Sequence, residues 1–209
     1  MKIQKPKIIK YFDKDLYKAY QDYDFNNYKF SSNINDNITI SNTTFDSCIF
    51  ENIDFTNIIL EDINLIDVIF NNCDLSNKCF DEKLVGRVEF NNCKMTGISF
   101  INSSLKDIVI NNCTSKYLNL SNAKINNILI KDSDLSESTF QETQIKNIEL
   151  NNLILSKVEF IKTNLNNVDF STCDITSTIF DTNSLKGIII DKFQSIDIVN
   201  VLGVKFKEY

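Results

Sequence analysis

Large apolar residues recur at every fifth position through most of this chain. Between 45 and 75 they fall at Phe45, Phe50, Phe55, Leu60, Leu65, Phe70 and Leu75, with polar residues crowded between them. A helix returns its buried face near every 3.6 residues and a strand every 2, so neither element alone buries such a series. Counted in fives from Ile40 to Ile190, every position is Phe, Leu, Ile, Val or Met except Ser115. Of the 16 Phe, all but Phe12, Phe193 and Phe206 lie at multiples of five. Such a period calls for a repeat architecture.

Two positions before each centre the residues are mostly apolar or small, among them Cys48, Ile53, Ile58, Ile63, Val68, Cys73 and Val88. In extended backbone these point the same way as the centre. Two positions after it, Asn is frequent: Asn42, Asn52, Asn57, Asn72, Asn77, Asn92, Asn102, Asn112, Asn122, Asn127, Asn147, Asn152 and Asn167. Asn tolerates left-handed backbone angles and bonds locally, which suits a corner. Each unit of five therefore reads as a short extended side closed by a turn. A longer interval is superimposed: VIFNNC at 68 to 73 returns as VEFNNC at 88 and IVINNC at 108. An interval of twenty is four sides per coil, with equivalent residues stacked about 4.8 Å apart.

These units resemble the pentapeptide-repeat family, whose motif places Asp or Asn before a central Leu or Phe. Asp54-Phe55, Asn64-Leu65, Asp74-Leu75, Asn119-Leu120, Asp134-Leu135, Asn164-Leu165 and Asp169-Phe170 carry that pair. The resemblance covers about residues 25 to 190 and implies an all-β fold, a right-handed quadrilateral β-helix of about eight coils. The expected core is Phe50, Phe70, Phe90, Phe100, Phe140, Phe160, Phe170 and Phe180. The organisation expected is a capping segment over 1 to 24, the repeats over 25 to 190, and a C-terminal helix and tail over 191 to 209.

Composition closes off several chemistries. The chain has no His, which excludes imidazole bases, Ser-His-Asp triads and His-ligated metals. Its 4 Gly are too scattered for a phosphate-binding loop. No apolar run is long enough to span a bilayer, and the opening MKIQKPKIIKYFDKD lacks a signal-like apolar stretch, so the expected address is the cytoplasm, without a membrane partner. The net charge is -6, and its distribution is uneven. Asp46, Glu51, Asp54, Glu61, Asp62, Asp67, Asp74, Asp81 and Glu82 crowd residues 40 to 82 against the single Lys78. With no cationic stripe to release counterions, direct binding to nucleic acid is disfavoured. The lysines at 2, 5, 7 and 10 read as a solvated terminus.

Cys73, Cys93, Cys113 and Cys173 share one column of the twenty-residue interval. A straight column cannot converge four thiolates tetrahedrally on one zinc ion, so they read as small buried hydrophobes, with Cys79 the exposed thiol. No metal or other cofactor is expected. Lys78 and Lys83 stand at inward positions, where an unpaired ammonium is costly, so the coil near 78 to 87 should distort outward.

The ends need covering because a solenoid exposes strand edges there. A short helix is expected over 13 to 20. At the other end Asp191 and Gln194 suggest a capping box and Gly203 a stop, with Phe193, Ile196, Val199 and Leu202 over the last coil. Ile198, Val201 and Leu202 are the candidate contact for a homodimer, as the resemblance to gyrase-directed members implies. Paired acids such as Glu61-Asp62 and Asp81-Glu82 sit at turns, and no catalytic constellation emerges. The reading is a non-enzymatic rod that binds other proteins, its acidic block a candidate partner surface. The resemblance to Qnr-type and mycobacterial fluoroquinolone-resistance proteins implies an alternative: a DNA mimic that binds a type II topoisomerase, DNA gyrase or topoisomerase IV. A rod about 38 Å long would need roughly 22 negative charges to match B-DNA, more than the net charge of this chain.

Overall fold

The computed structural model describes residues 2–205 and 207. Among them the chain winds as a parallel β-solenoid of about 8 turns with two short helices. The elements are β1 (Phe12–Asp13), α1 (Leu16–Asp22), β2 (Tyr28–Phe30), β3 (Ile38–Glu51), β4 (Ile58–Asn71) and β5 (Leu84–Asn91). They continue with β6 (Ser104–Asn111), β7 (Lys124–Lys131), β8 (Gln144–Ile145), β9 (Ile148–Asn151), β10 (Glu159–Phe160), β11 (Ile179–Phe180) and α2 (Ser195–Val201). From β2 onward the register steps by twenty, as in Phe50↔Phe70, Phe70↔Phe90 and Phe90↔Ile110.

Four ladders of centres line the interior. Side 1 runs through Phe45, Leu65 and Val85, side 2 through Phe50, Phe70 and Phe90, side 3 through Phe55, Leu75 and Met95, and side 4 through Leu60, Phe80 and Phe100; all are buried. Rings stack along side 2, Phe50 on Phe70 at 5.0 Å and 11°, Phe70 on Phe90 at 5.2 Å and 3°. Side 4 repeats this with Phe80 on Phe100 at 5.5 Å and Phe160 on Phe180 at 5.5 Å. All eight Phe expected in the core are buried. Small inward residues satisfy their polar atoms by donating to a carbonyl of the preceding coil: Ser103 Oγ to Phe80 O at 2.6 Å, Thr143 Oγ1 to Leu120 O at 2.8 Å, Thr178 Oγ1 to Leu155 O at 2.8 Å. Ser115, the one polar centre, is fully buried, and its Oγ finds no partner. Ser115→Ala removes that unsatisfied hydroxyl and should raise stability by about 1 kcal/mol. The check is a higher urea midpoint at unchanged slope.

Corners are left-handed at the second residue past the centre, with φ of 58° at Asn52, 54° at Asn72 and 54° at Asn92. Residues less suited to such angles do the same, including Arg87, Tyr117, Glu137 and Lys157. At Gly97, φ +71°, an added Cβ would fall 2.5 Å from Asn77 Oδ1, so a side chain there would have to displace the Asn77 amide. Two of the corner asparagines, Asn57 and Asn147, are absent from the left-handed set.

Those two asparagines mark interruptions of the ladder. In β3 and β4 the chain runs as strand through the corner between sides 4 and 1. Later coils close that corner as a turn, Ser103 N–H to Phe100 O at 3.2 Å and Ala123 N–H to Leu120 O at 3.1 Å. The two corner types aim their peptide groups differently, and among the described residues 58–60 and 78–80 do not pair. Lys78 fills the vacancy, its Nζ donating to Ile58 O at 2.8 Å. Burial pushes the Lys78 ammonium below its usual range, against the pull of Asp54 and Asp74. Lys83 turns out to Asp62 Oδ1 at 2.6 Å. In place of the outward distortion expected over 78 to 87 there is a local gap in pairing: Phe80 and Val85 stay buried and the twenty-residue register holds at Leu65↔Val85.

The second interruption lies lower. Strands β3 to β7 run straight through the corner between sides 1 and 2, whereas the coil of Leu165 closes it, Val168 N–H to Leu165 O at 2.9 Å. The next corner closes too, Cys173 N–H to Phe170 O at 2.8 Å. Among the described residues, the backbone of 144–151 pairs with 123–132 and forms no backbone ladder with 164–171. The main sheet ends there, and β10 and β11 form a separate pair.

At the first coil α1 buries Leu16 and Ala19, capped by Asp15, whose side chain accepts from Lys18 N at 3.0 Å. At the last coil the expected capping box forms: Gln194 N–H donates to Asp191 Oδ1 at 3.2 Å and Asp191 N–H to Gln194 Oε1 at 2.9 Å. Gly203 ends the segment with φ +74°. The helix faces opposite to expectation. Gln194 Nε2 reaches inward to Phe170 O at 2.9 Å and Cys173 O at 2.7 Å, carbonyls of the corner between sides 2 and 3. That orientation turns Ile198 toward the core and leaves Phe193, Ile196 and Leu202 exposed.

Candidate interaction surfaces of the rod

The nine acids of the candidate surface lie on all four sides rather than one. Asp46 is on side 1, Glu51 on side 2, Asp54 and Asp74 on side 3, Glu61 and Asp81 on side 4; Asp62, Glu82 and Asp67 stand at corners. Most are committed locally. Glu51 pairs with Lys29, Asp62 with Lys83, Asp74 with Lys94, and Asp54 accepts from Thr56 N at 2.8 Å. Asp81 accepts from Ile101 N at 2.8 Å. Hydrogen bonds from Thr56 hold the Asp54 carboxyl below the usual range.

Farther along, side 1 changes sign. Ser104, Lys106, Lys124, Gln144, Lys146, Lys162 and Asn164 border a shallow depression of about 720 Å³ beside the second interruption. Lys162 is bonded to Glu142 Oε1 at 2.8 Å, while Lys106, Lys124 and Lys146 are exposed. The rod is therefore acidic in its first full coils and carries a lysine face on one side of its later ones.

One corner was not foreseen as a site. Asp67, 6% exposed, takes a two-pronged bond from Arg87, Nε to Oδ1 at 2.5 Å and Nη2 to Oδ2 at 2.6 Å. Lys7 N–H adds a third donor to Oδ1 at 2.7 Å. Burial alone would raise the Asp67 carboxyl, but Arg87 and Lys7 outweigh it and hold it below the usual range. One coil past Arg87, Asp107 accepts from Asn127 Nδ2 at 2.7 Å and Gln4 N–H at 3.3 Å. The lysine-rich start of the chain thus lies against the rod at Gln4 and Lys7, contrary to the solvated terminus expected. The sequence held one signal: Asp67, Arg87 and Asp107 alternate in charge at intervals of one coil.

Five cysteines are buried and Cys79 is exposed. Burial pushes the Cys48 thiol up to about 12 and raises Cys173 as well. Among the described residues no group of three or more His, Cys, Asp or Glu is placed to hold a metal ion. Reaction of the folded protein with a thiol reagent should therefore modify Cys79 at least a hundredfold faster than the other five, which become accessible only on unfolding. Counting modified thiols by mass against time checks this.

At the C-terminal end the candidate dimer residues divide. Val201 and Leu202 are exposed, whereas Ile198 packs against the core. Phe193 and Ile196 extend the exposed apolar surface. Beyond Lys205 only Lys207 of the tail belongs to the described residues. Among the described residues no helix is long and apolar enough to cross a membrane.

In comparisons with known proteins, the family model for pentapeptide repeats, in eight copies, matches residues 41–82, and that for a pentapeptide repeat region matches 63–140. No curated protein matches the chain. Among solved structures, a trypsin-treated form of QnrB1, a plasmid-mediated fluoroquinolone resistance protein, is 20% identical with a TM-score of 0.49, covering 87% of this chain and 89% of that one. HetL, involved in heterocyst differentiation regulation in the cyanobacterium Nostoc, is 13% identical with a TM-score of 0.30, covering 85% and 96%. A pentapeptide repeat protein of the Arabidopsis thaliana thylakoid lumen is 16% identical with a TM-score of 0.28, covering 61% and 85%.

Proposed function

This chain belongs to the pentapeptide-repeat proteins, and on that premise we propose that it acts as a rigid, non-enzymatic module that binds other proteins through its outer faces. One observation carries the reading: the interior is filled. The Phe rings from Phe25 to Phe170 at the centres of the coils are less than 2% exposed, so among the described residues the interior leaves no deep cleft to enclose a small substrate. What the rod offers a partner is flat, stiff and periodic, with charge differing between its ends.

The lysine face gives the test. A chain carrying Lys106→Glu, Lys124→Glu and Lys146→Glu keeps every inward residue and should retain its circular dichroism. Partners captured from native cytosol by the original chain should be lost from this variant or from a companion with Asp46, Glu61 and Asp81 replaced by lysine. Identical captures on all three folded chains would remove the reading. Association of two rods through the exposed Phe193, Ile196, Val201 and Leu202 would lengthen the module, and sedimentation equilibrium of Leu202→Asp against the original chain tests it.

A narrower reading is binding to DNA gyrase or topoisomerase IV as a DNA mimic. The acidic block supports it; the spread of that block over four sides, with most acids paired, weakens it. Unchanged gyrase supercoiling and unchanged ciprofloxacin sensitivity at micromolar protein would exclude this version while leaving the general module standing.

A further inference from the structure

Along the corner between sides 1 and 2, Asp67, Arg87, Asp107 and Asn127 stack one per coil, each with positive φ. We propose that this corner is a binding groove for an extended, lysine-bearing peptide segment, and that the chain's own residues 2–10 are its resident, exchangeable occupant. The occupant is seen in place. Lys7 N–H donates to Asp67 at 2.7 Å and Gln4 N–H to Asp107 at 3.3 Å, across 60 and 103 residues of sequence.

The spacing explains why an extended chain fits. Asp67 and Asp107 lie two coils apart, about 9.6 Å at the strand spacing. Three residues of polyproline-type chain rise about 9.3 Å, one full turn, and bring the same backbone face round again. Amides three residues apart, such as those of Gln4 and Lys7, therefore meet carboxylates two rungs apart. Pro6 lies between them, with φ held near the required value and no amide of its own to satisfy. Arg87 fills the intervening rung and is occupied by Asp67, so the corner presents its carboxylates at the period of the ligand.

A second observation points the same way. Asp107 is 1% exposed, yet among the described residues its Oδ2 has no hydrogen-bond partner, which leaves acceptor capacity that residues 2–10 do not use. Lys5, Lys7 and Lys10 are exposed, and the Lys7 ammonium attracts the Asp67 carboxylate. A lysine-bearing segment of another protein, or the arm of a second copy, carries the same chemistry and would compete for the site.

The experiment uses the full chain and a labelled peptide of sequence KIQKPKIIK, residues 2–10. Lys7→Pro deletes the amide that Asp67 accepts, without truncation, and should loosen the resident arm. Because a tethered arm competes at about millimolar effective concentration, the peptide should bind Lys7→Pro at least tenfold more tightly than the original chain. Adding Asp107→Ala to Lys7→Pro should weaken binding by about tenfold or more; Asp107→Asn serves if that chain does not fold, with a smaller loss and a shallower salt dependence. Equal affinity for the original chain and Lys7→Pro overturns the proposal, as does no binding to either at millimolar peptide. So does binding indifferent to Asp107, or undiminished when the peptide's lysines are replaced by glutamine.

Discussion

Phe70→Ala should lower the stability of the rod by about 3–5 kcal/mol, a large share of the roughly 5–15 kcal/mol that holds an ordinary domain together. Phe70 is fully buried, stacked between Phe50 at 5.0 Å and Phe90 at 5.2 Å, with Phe55 edge-on at 6.0 Å. The substitution empties one storey of side 2 and removes both ring contacts along the axis. In a solenoid each coil is held chiefly by its neighbours, so the loss falls on two interfaces and the surroundings cannot easily collapse into it. A matched change at Phe12, 56% exposed, should stay within about 0.5 kcal/mol. Urea unfolding of the two variants measures the contrast, and a shift below about 1 kcal/mol for Phe70→Ala would mean the stack is not where the stability lies.

Arg87→Ala should cost about 2–3 kcal/mol, somewhat below the loss for breaking a fully buried pair, because the Arg87 side chain keeps 22% of its exposure. The substitution leaves Asp67, itself 6% exposed, with the Lys7 amide as its remaining donor. The pH dependence separates this from a packing loss. The folded Asp67 carboxyl lies below its unfolded value of about 3.9. Its stabilising contribution is complete above that value and is lost as pH falls through the folded one. Stability of the original chain should therefore decline more steeply than that of Arg87→Ala as pH drops below about 4. Parallel curves would assign the loss to the arginine stem alone.

The coil itself was legible because its signal repeats: Ile40 to Ile190 in steps of five is a pattern that helix and strand periods cannot imitate. The corner asparagines were legible for the same reason, yet Asn57 and Asn147 look like the rest and behave differently. What distinguishes them is the next coil, where the same corner (for Asn147) or the one after it (for Asn57) changes from strand to closed turn, and a five-residue motif carries no record of its neighbour twenty residues on. The C-terminal helix was placed correctly and oriented wrongly. Its apolar residues cover both faces, so periodicity could not choose between them; Gln194, seeking the Phe170 and Cys173 carbonyls, decided the rotation. The arm at Gln4 and Lys7 was missed because its contacts are made by backbone amides, which no side-chain pattern records. Among the candidate acids, Asp67 proved to be part of this corner, while Glu61 and Glu82 are exposed on other parts of the rod.

Among the described residues the ladder of sides is continuous except where a corner changes its turn. Hydrogen exchange resolved to short peptides reads these breaks. Backbone amides of β5, β6 and β7 should exchange slowest, with the 144–151 and 164–171 segments opening at distinctly lower free energy and separately from the coils above them. Uniform protection from 84 through 171, with one cooperative opening, would contradict a break there.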